Sequence, residues 1–215
     1  YGKVFIVLKP SDASYLTSLT KSQIVSDLKK YVVASVEPKI VDPSILFVEI
    51  TSKIFYNSGM TDQRPAQIRD KTISSVQSYI DISDTEKFNG KFRYSKFVGV
   101  IDDADPSINS NLTSVMMRKD FYPQLNSTFY YEVCFQNAFD EDCDDPVLSS
   151  TGFRVTEYPN FDVYVEDRNK KIVLYRLDSV TGEKVVLDRD IGDIDYVKGE
   201  LKMYALTIIR GSFFD

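Results

Sequence analysis

A long extended segment that follows two prolines constrains this chain more than any other stretch. Residues 38–43, Pro-Lys-Ile-Val-Asp-Pro, stop a helix arriving from upstream, because proline lacks an amide hydrogen and moves the preceding residue out of the α region. Residues 45–56 then alternate as a strand does, with polar Glu49, Thr51 and Lys53 on one face. The other face carries Leu46, Val48, Ile50, Ile54 and Tyr56. Such a segment spans about 40 Å, so we expect it to reach beyond its own sheet.

The composition sets the broad class of the protein. The chain has 215 residues, of which 43% are hydrophobic and 13% aromatic, enough for one large or two modest domains. The net charge of -6 argues against nucleic acid as a partner, because phosphate-backbone affinity comes from clustered lysine and arginine. No apolar run approaches the roughly 20 residues of a membrane helix, so no membrane contact is predicted. The chain opens on Tyr1-Gly2-Lys3, and we expect it to be a fragment of a longer protein.

The first part of the chain, residues 1–122, is predicted to be an α+β domain with a mixed sheet and two main helices. The apolar run at residues 3–9 predicts a central strand buried on both faces. Thr20 and Gln23 have capping-box spacing and predict a helix that ends by Pro38. Further helices are predicted at residues 65–83 and, more briefly, 94–101, and a third strand at residues 112–120.

The second part, residues 123–215, is predicted to be a β-rich sandwich- or barrel-like domain. Helical periodicity disappears there, and short alternating runs separated by turn residues take over. Strands are predicted at residues 129–136, 152–156, 161–166, 171–177, 184–188 and 200–209. The final hairpin turns at residues 197–199, where Gly199 supplies a positive φ.

The residues that usually carry chemistry are scarce. Histidine is absent, which removes the commonest metal ligand and the side chain that titrates nearest neutral pH. Cys134 is interpreted as a buried structural thiol, and with Cys143 it makes too few cysteines for a disulfide framework, which favours a reduced cytosolic setting. The acidic run at residues 140–145 is interpreted as a solvated loop, and residues 102–106 as an Asp-Pro turn. We therefore predict no catalytic, cofactor-binding or metal-binding residues and no enzymatic activity.

Aromatic residues are the strongest candidates for contact with a partner. Phenylalanine and tyrosine number fourteen each, and neighbouring pairs place rings on both faces of a strand. A two-sided core and a partner surface both account for them. We predict that the exposed edge of residues 45–56 takes part in subunit contact, with Phe55 and Tyr56 as interface residues.

Several of these segments together resemble a known family. They are Gly2-Lys-Val-Phe-Ile-Val-Leu-Lys-Pro10, the helix within residues 21–36, the link at residues 38–43 with its strand, and the hairpin at residues 192–202. In this order they resemble the baseplate J-like proteins of contractile phage tails, and more closely the C-terminal part of the large baseplate wedge subunits of T-even bacteriophages. The resemblance extends over most of the chain.

The resemblance implies a structural role in a virion. Such proteins build baseplate wedges, associate with themselves as homodimers or in ring contacts, bind other wedge subunits and rearrange when the tail contracts. The implied location is the tail baseplate, after assembly in the host cytoplasm, and no cofactor is implied. Two alternatives stay open. The aromatic β-rich part suggests a glycan- or receptor-binding module of a phage tail, and a pair of distant carboxylates would suit a hydrolase.

Overall fold

The computed structural model of this chain describes residues 2–11, 13–32, 35–141 and 145–212. Helices α1, α2 and α3 span Ser18–Leu28, Pro65–Ile82 and Tyr94–Asp102. Strands β1 to β5 span Gly2–Val7, Val36–Val41, Phe47–Tyr56, Ile108–Arg118 and Thr128–Cys134. Strands β6 to β10 span Phe153–Val155, Tyr158–Arg168, Lys171–Leu177, Lys184–Asp195 and Glu200–Arg210. The predicted class, α+β with a β-rich part, is confirmed.

The chain divides into two compact units. The central unit is Phe47–Arg118, and the outer unit combines Tyr1–Leu46 with Lys119–Asp215. Residues 1–122 thus contribute to both units. The division into domains 1–122 and 123–215 stays a prediction.

The first two strands form a parallel pair connected by α1. Thr17 caps the helix by accepting a hydrogen bond from the Thr20 amide, 3.2 Å away, so the helix begins before the predicted capping box. It ends at Leu28, well before Pro38, and Pro38 itself lies inside β2 opposite Val4. Because the Gly2 amide donates to the Ser35 carbonyl, the register turns odd-numbered amides of β2 toward β1. Pro38 therefore sits where a missing amide hydrogen costs no ladder bond.

The predicted central position of the first strand was wrong. Among the described residues β1 pairs with β2 alone, and Val4 and Phe5 are 48% and 61% exposed. Apolar side chains make a strand compatible with a buried position. Whether other strands and helices cover that strand depends on the rest of the fold. The predicted mixed sheet is likewise replaced, over the described ranges, by two separate two-stranded sheets, β1–β2 and β3–β4.

The central unit packs α2 and α3 around a small apolar core. Ile68 of α2 and Phe97 and Ile101 of α3 are each 2% exposed. The ring of Phe97 lies 5.4 Å from that of Phe92 and 6.3 Å from that of Tyr79. The helices predicted at residues 65–83 and 94–101 are confirmed, and the strand predicted at residues 112–120 is β4, which begins earlier, at Ile108.

Asp105 follows α3 as a buried carboxylate that the sequence did not reveal. Its side chain is 4% exposed; Oδ2 lies 2.8 Å from Lys71 Nζ, while Oδ1 accepts hydrogen bonds from the Ser107 hydroxyl and amide. The Lys71 contact, followed by the two bonds from Ser107, lowers the pKa of Asp105 to about 2. The carboxylate ties α2 to the segment that enters β4.

We expect this carboxylate to make the stability of the chain acid-sensitive. Because its folded pKa of about 2 lies below its ordinary value of 3.8, its contribution is present above pH 4 and is lost as pH falls toward 2. Asp105→Asn should lower the melting midpoint at neutral pH. The melting midpoint of this variant should also decrease less between pH 4 and pH 2 than that of the parent. Melting curves across that range measure both effects. Asp103→Asn, at an exposed neighbouring position, is the control and should leave the pH profile unchanged.

The β-rich part of the outer unit closes into a barrel. Strands β6, β7, β8, β9 and β10 pair in that order, and β10 pairs back to β6, which closes a five-stranded ring. β5 adds to β10 beside β6. The interior holds Val155, Val163 and Ile172 at 0% exposure and Ile208 at 2%.

The strands and turns predicted for this part are largely confirmed. β8 has the predicted bounds, whereas β7 and β9 are longer than predicted because they continue across the barrel. Gly199 has a φ of +64°, as the hairpin pattern predicts. The β7–β8 turn uses two non-glycine residues with positive φ, Asn169 and Lys170, which no local signal predicted.

Candidate interaction surface

Strands β3 and β4 form an antiparallel ladder with an open edge. The ten residues of β3 all pair with β4, and over the described ranges β3 pairs with no other strand. The register shifts once, between Phe55 and Tyr56, where β4 has one extra residue. One long edge of β3 therefore presents its backbone groups without a strand partner.

One side of this ladder, the inner face, is held against α3. The Ser52 and Thr113 hydroxyls lie 2.8 Å apart across the ladder, and the Tyr94 hydroxyl donates to the Thr113 carbonyl at 2.8 Å. Asn111 donates through Nδ2 to Asp102 Oδ1, 2.7 Å away at the end of α3. The even positions of β3 predicted to face a core lie on this side, and Ile50 and Ile54 are half-buried.

The opposite side, the outer face, combines exposed apolar side chains with charge. It carries Phe47, Glu49, Thr51, Lys53 and Phe55 of β3 and Ser110, Leu112, Ser114, Met116 and Arg118 of β4. Phe55, Leu112 and Met116 are 45%, 69% and 63% exposed. Lys53 Nζ lies 5.3 Å from the Phe55 ring centre, and Arg118 forms an ion pair with Glu49. Clustered exposed apolar groups with charged neighbours are typical of a protein interaction surface.

The two predicted interface residues lie on different sides of β3. Phe55 is on the outer face, whereas Tyr56 is half-buried and belongs by alternation to the inner face. Their role in an interface stays a prediction. The sequence did not single out Leu112 and Met116, because β4 is weakly patterned and only the pairing with β3 places them on the face that carries Phe55, opposite Lys53 and Glu49.

The cysteine and acidic-loop candidates do not converge on one site. Cys134 ends β5 half-buried rather than buried, with Sγ 3.8 Å from Glu200 Oε1. In the acidic run, Glu141 pairs with Lys170 at 2.5 Å, while Cys143 and its two neighbours lie outside the described residues. Within residues 2–11, 13–32, 35–141 and 145–212, no three acidic or cysteine side chains come together as a metal site requires. No helix in these ranges is both long and apolar enough to cross a bilayer.

The buried carboxylates of the barrel, Glu166 and Asp167, are engaged by neighbouring groups. They line a cavity of about 560 Å³ at the end of β7. Glu166 is 1% exposed, with Oε1 2.5 Å from Arg168 Nη2 and Oε2 2.5 Å from Lys184 Nζ. Asp167 accepts from the Leu148 amide and the Tyr196 hydroxyl, and burial together with this carboxylate raises the pKa of Tyr196 to about 12. These contacts hold the barrel strands and the preceding loop together.

Two parts of this chain match known protein families. Baseplate structural protein gp6, C-terminal domain I, matches residues 1–41, and baseplate structural protein gp6, C-terminal domain III, matches residues 44–120. The second match encloses the central unit, Phe47–Arg118. Together these two matches support a gp6-like baseplate protein. The more specific baseplate J-like assignment stays a prediction.

Part of this chain is similar in sequence to the baseplate wedge protein gp6 of Enterobacteria phage T4. The two sequences are 33% identical over 124 residues, which is 56% of this chain. The chain spans 19% of the length of that relative. These matches support the predicted structural role and do not favour a glycan- or receptor-binding module.

Proposed function

We propose that this chain is a structural part of a phage tail baseplate wedge and works through contacts with other wedge subunits and with a second copy of itself. The observation that carries this function is the succession of two gp6 C-terminal domains along residues 1–120. The proposed location is the tail baseplate of the virion, reached by assembly in the host cytoplasm. The proposed role is non-enzymatic, consistent with carboxylates whose partners are structural.

The outer face supplies the surface that this function needs. It projects apolar side chains from a strand pair whose inner face is already held by α3. A structural subunit in a ring gains stability from repeated contacts of moderate strength, since each contact raises the effective concentration for the next. We therefore propose Phe55, Leu112 and Met116 as contact residues.

Immunoelectron microscopy of tails tests the location. Antibodies raised against the purified chain are applied to particles of the virus that encodes it, with and without tail contraction. Labelling concentrated at the baseplate end is expected. Labelling confined to fibre tips, together with binding of the purified chain to a glycan array, would favour the receptor-binding alternative and contradict the proposal.

We expect Phe55→Lys to weaken self-association. A second lysine beside Lys53 places charge in an apolar contact and should raise the dissociation constant about tenfold. Light scattering over a concentration series measures the change, and circular dichroism checks that the fold is kept. Phe88→Lys is the matched control, because Phe88 is 60% exposed but lies outside the outer face. Equal association of both variants and the parent would contradict the assignment of Phe55.

A further inference from the structure

We propose that β3 pairs with β3 of a second copy in an antiparallel, two-fold arrangement centred on Thr51, which joins two β3–β4 ladders into one four-stranded sheet. This inference rests on the self-association in the proposed function and specifies its geometry. It follows from the backbone groups on the open edge, from the order of side chains along the strand, and from the failure of neighbouring registers.

The open edge presents the backbone groups of the even-numbered residues. The Asn57 amide donates to the Ser107 carbonyl at 2.8 Å, and β3 itself is regular because the extra residue lies in β4. Since backbone groups of alternate residues point to opposite edges, the odd residues of β3 bond to β4. Val48, Ile50, Ser52 and Ile54 direct their amides and carbonyls outward. A two-fold axis at Thr51 pairs Ile50 with Ser52 of the second copy and Val48 with its Ile54, so every outward group meets a partner.

The side chains of the outer face are self-complementary about the same residue. In order they are Phe47, Glu49, Thr51, Lys53 and Phe55. Antiparallel pairing about Thr51 sets Glu49 against Lys53 of the second copy, twice in the dimer, and Phe47 against Phe55 at both ends. Thr51 faces its own equivalent at the centre. Opposite charges and aromatic rings directly across a ladder are both stabilising pairs.

Neighbouring registers lose this match. Even residues must still face even residues, so the two-fold axis can pass only through a residue and not between two residues. The nearest alternatives to Thr51 are therefore Ile50 and Ser52. With the axis at Ile50, Phe47 meets Lys53 and Glu49 meets Thr51. When the axis lies at Ser52, Glu49 meets Phe55 and Lys53 meets Thr51. Neither arrangement pairs the charges, so the sequence selects the Thr51 register.

A second copy fits this edge better than an unrelated strand. Lysine on an exposed edge ordinarily discourages pairing with foreign strands, because its charge is left without a counter-charge. Here Glu49 lies at the symmetric position, so an identical strand paired about Thr51 supplies the counter-charge. An isologous contact of this kind closes at two copies and does not propagate into a fibre.

Charge reversal in the whole 215-residue chain tests the register. Glu49→Lys alone sets lysine against lysine, and Lys53→Glu alone sets glutamate against glutamate, so each variant should dimerise at least tenfold more weakly than the parent. An equimolar mixture of the two variants restores both opposite-charge pairs and should form a heterodimer of nearly parental affinity. The double variant Glu49→Lys with Lys53→Glu should also recover self-association. Sedimentation velocity with one variant fluorescently labelled measures each species.

The double variant also controls for the ion pair between Glu49 and Arg118, which is lost both in the double variant and in Glu49→Lys. If the single variants dimerise weakly, and the mixture and the double variant dimerise weakly too, the Thr51 register is overturned. Single variants that dimerise like the parent would overturn it as well. Neither result affects baseplate labelling, which tests the proposed function separately. Capture of a strand from a different wedge protein, with no homodimer at any concentration, would overturn the second copy as the occupant.

Discussion

Gly199→Ala is expected to destabilise the barrel severely. Gly199 has a φ of +64°, in the left-handed region that disfavours residues with a Cβ atom. A methyl group there would overlap the carbonyl oxygen of Asn137 and lie 2.8 Å from its carbonyl carbon, while the Gly199 carbonyl accepts a hydrogen bond from the Phe135 amide. Backbone strain and steric overlap together should lower the free energy of unfolding by at least about 3 kcal/mol. Urea denaturation followed by circular dichroism measures the loss.

Gly182→Ala separates backbone strain from steric overlap. Gly182 also has a positive φ, +72°, but an added Cβ would have no neighbour within 4 Å. Its replacement should cost only about 1 kcal/mol, the usual penalty for alanine at a left-handed position. Equal losses for the two variants would mean that the overlap with Asn137 does not contribute.

Phe97→Ala should have a comparable effect in the central unit. Phe97 is 2% exposed and its ring contacts those of Tyr79 and Phe92, so truncation leaves a cavity between α2, α3 and the segment before α3. Removing a buried phenylalanine costs about 3–5 kcal/mol through lost transfer free energy and the cavity. Thermal and urea unfolding measure the change.

Phe88→Ala is the matched control for Phe97→Ala. Phe88 lies in the same unit but is 60% exposed, so its truncation should change the free energy of unfolding by less than about 0.5 kcal/mol. If the two variants lost stability equally, the assignment of Phe97 to the core of this unit would be contradicted.

Elements with strong local signals were predictable from the sequence. The helix from Pro65 combines a proline in its first turn with long apolar periodicity, and β8 is a short apolar run between turn residues. The positive φ of Gly199 follows from its place in a hairpin turn. Pro38 was misinterpreted, because proline ends helices in general but is compatible with an edge strand when its nitrogen faces outward. That distinction depends on the partner strand β1.

The candidate surface was only partly predictable for the same reason. Alternation along residues 45–56 was sufficient to separate the two faces of β3, and it indicated one exposed face. It did not identify Leu112 and Met116, which lie more than fifty residues downstream and share a face with Phe55 only through the β3–β4 register. The buried Asp105 was likewise hidden, since burial of a carboxylate depends on tertiary partners such as Lys71.

The molar mass of the purified chain over a concentration series tests the central claim, that this protein acts through contact between subunits. Light scattering should give 24.6 kDa at high dilution and a smooth rise toward twice that value as concentration increases. The Phe55→Lys variant should need a higher concentration for the same rise. A mass that stays at 24.6 kDa at every concentration would contradict self-association through the open edge of β3.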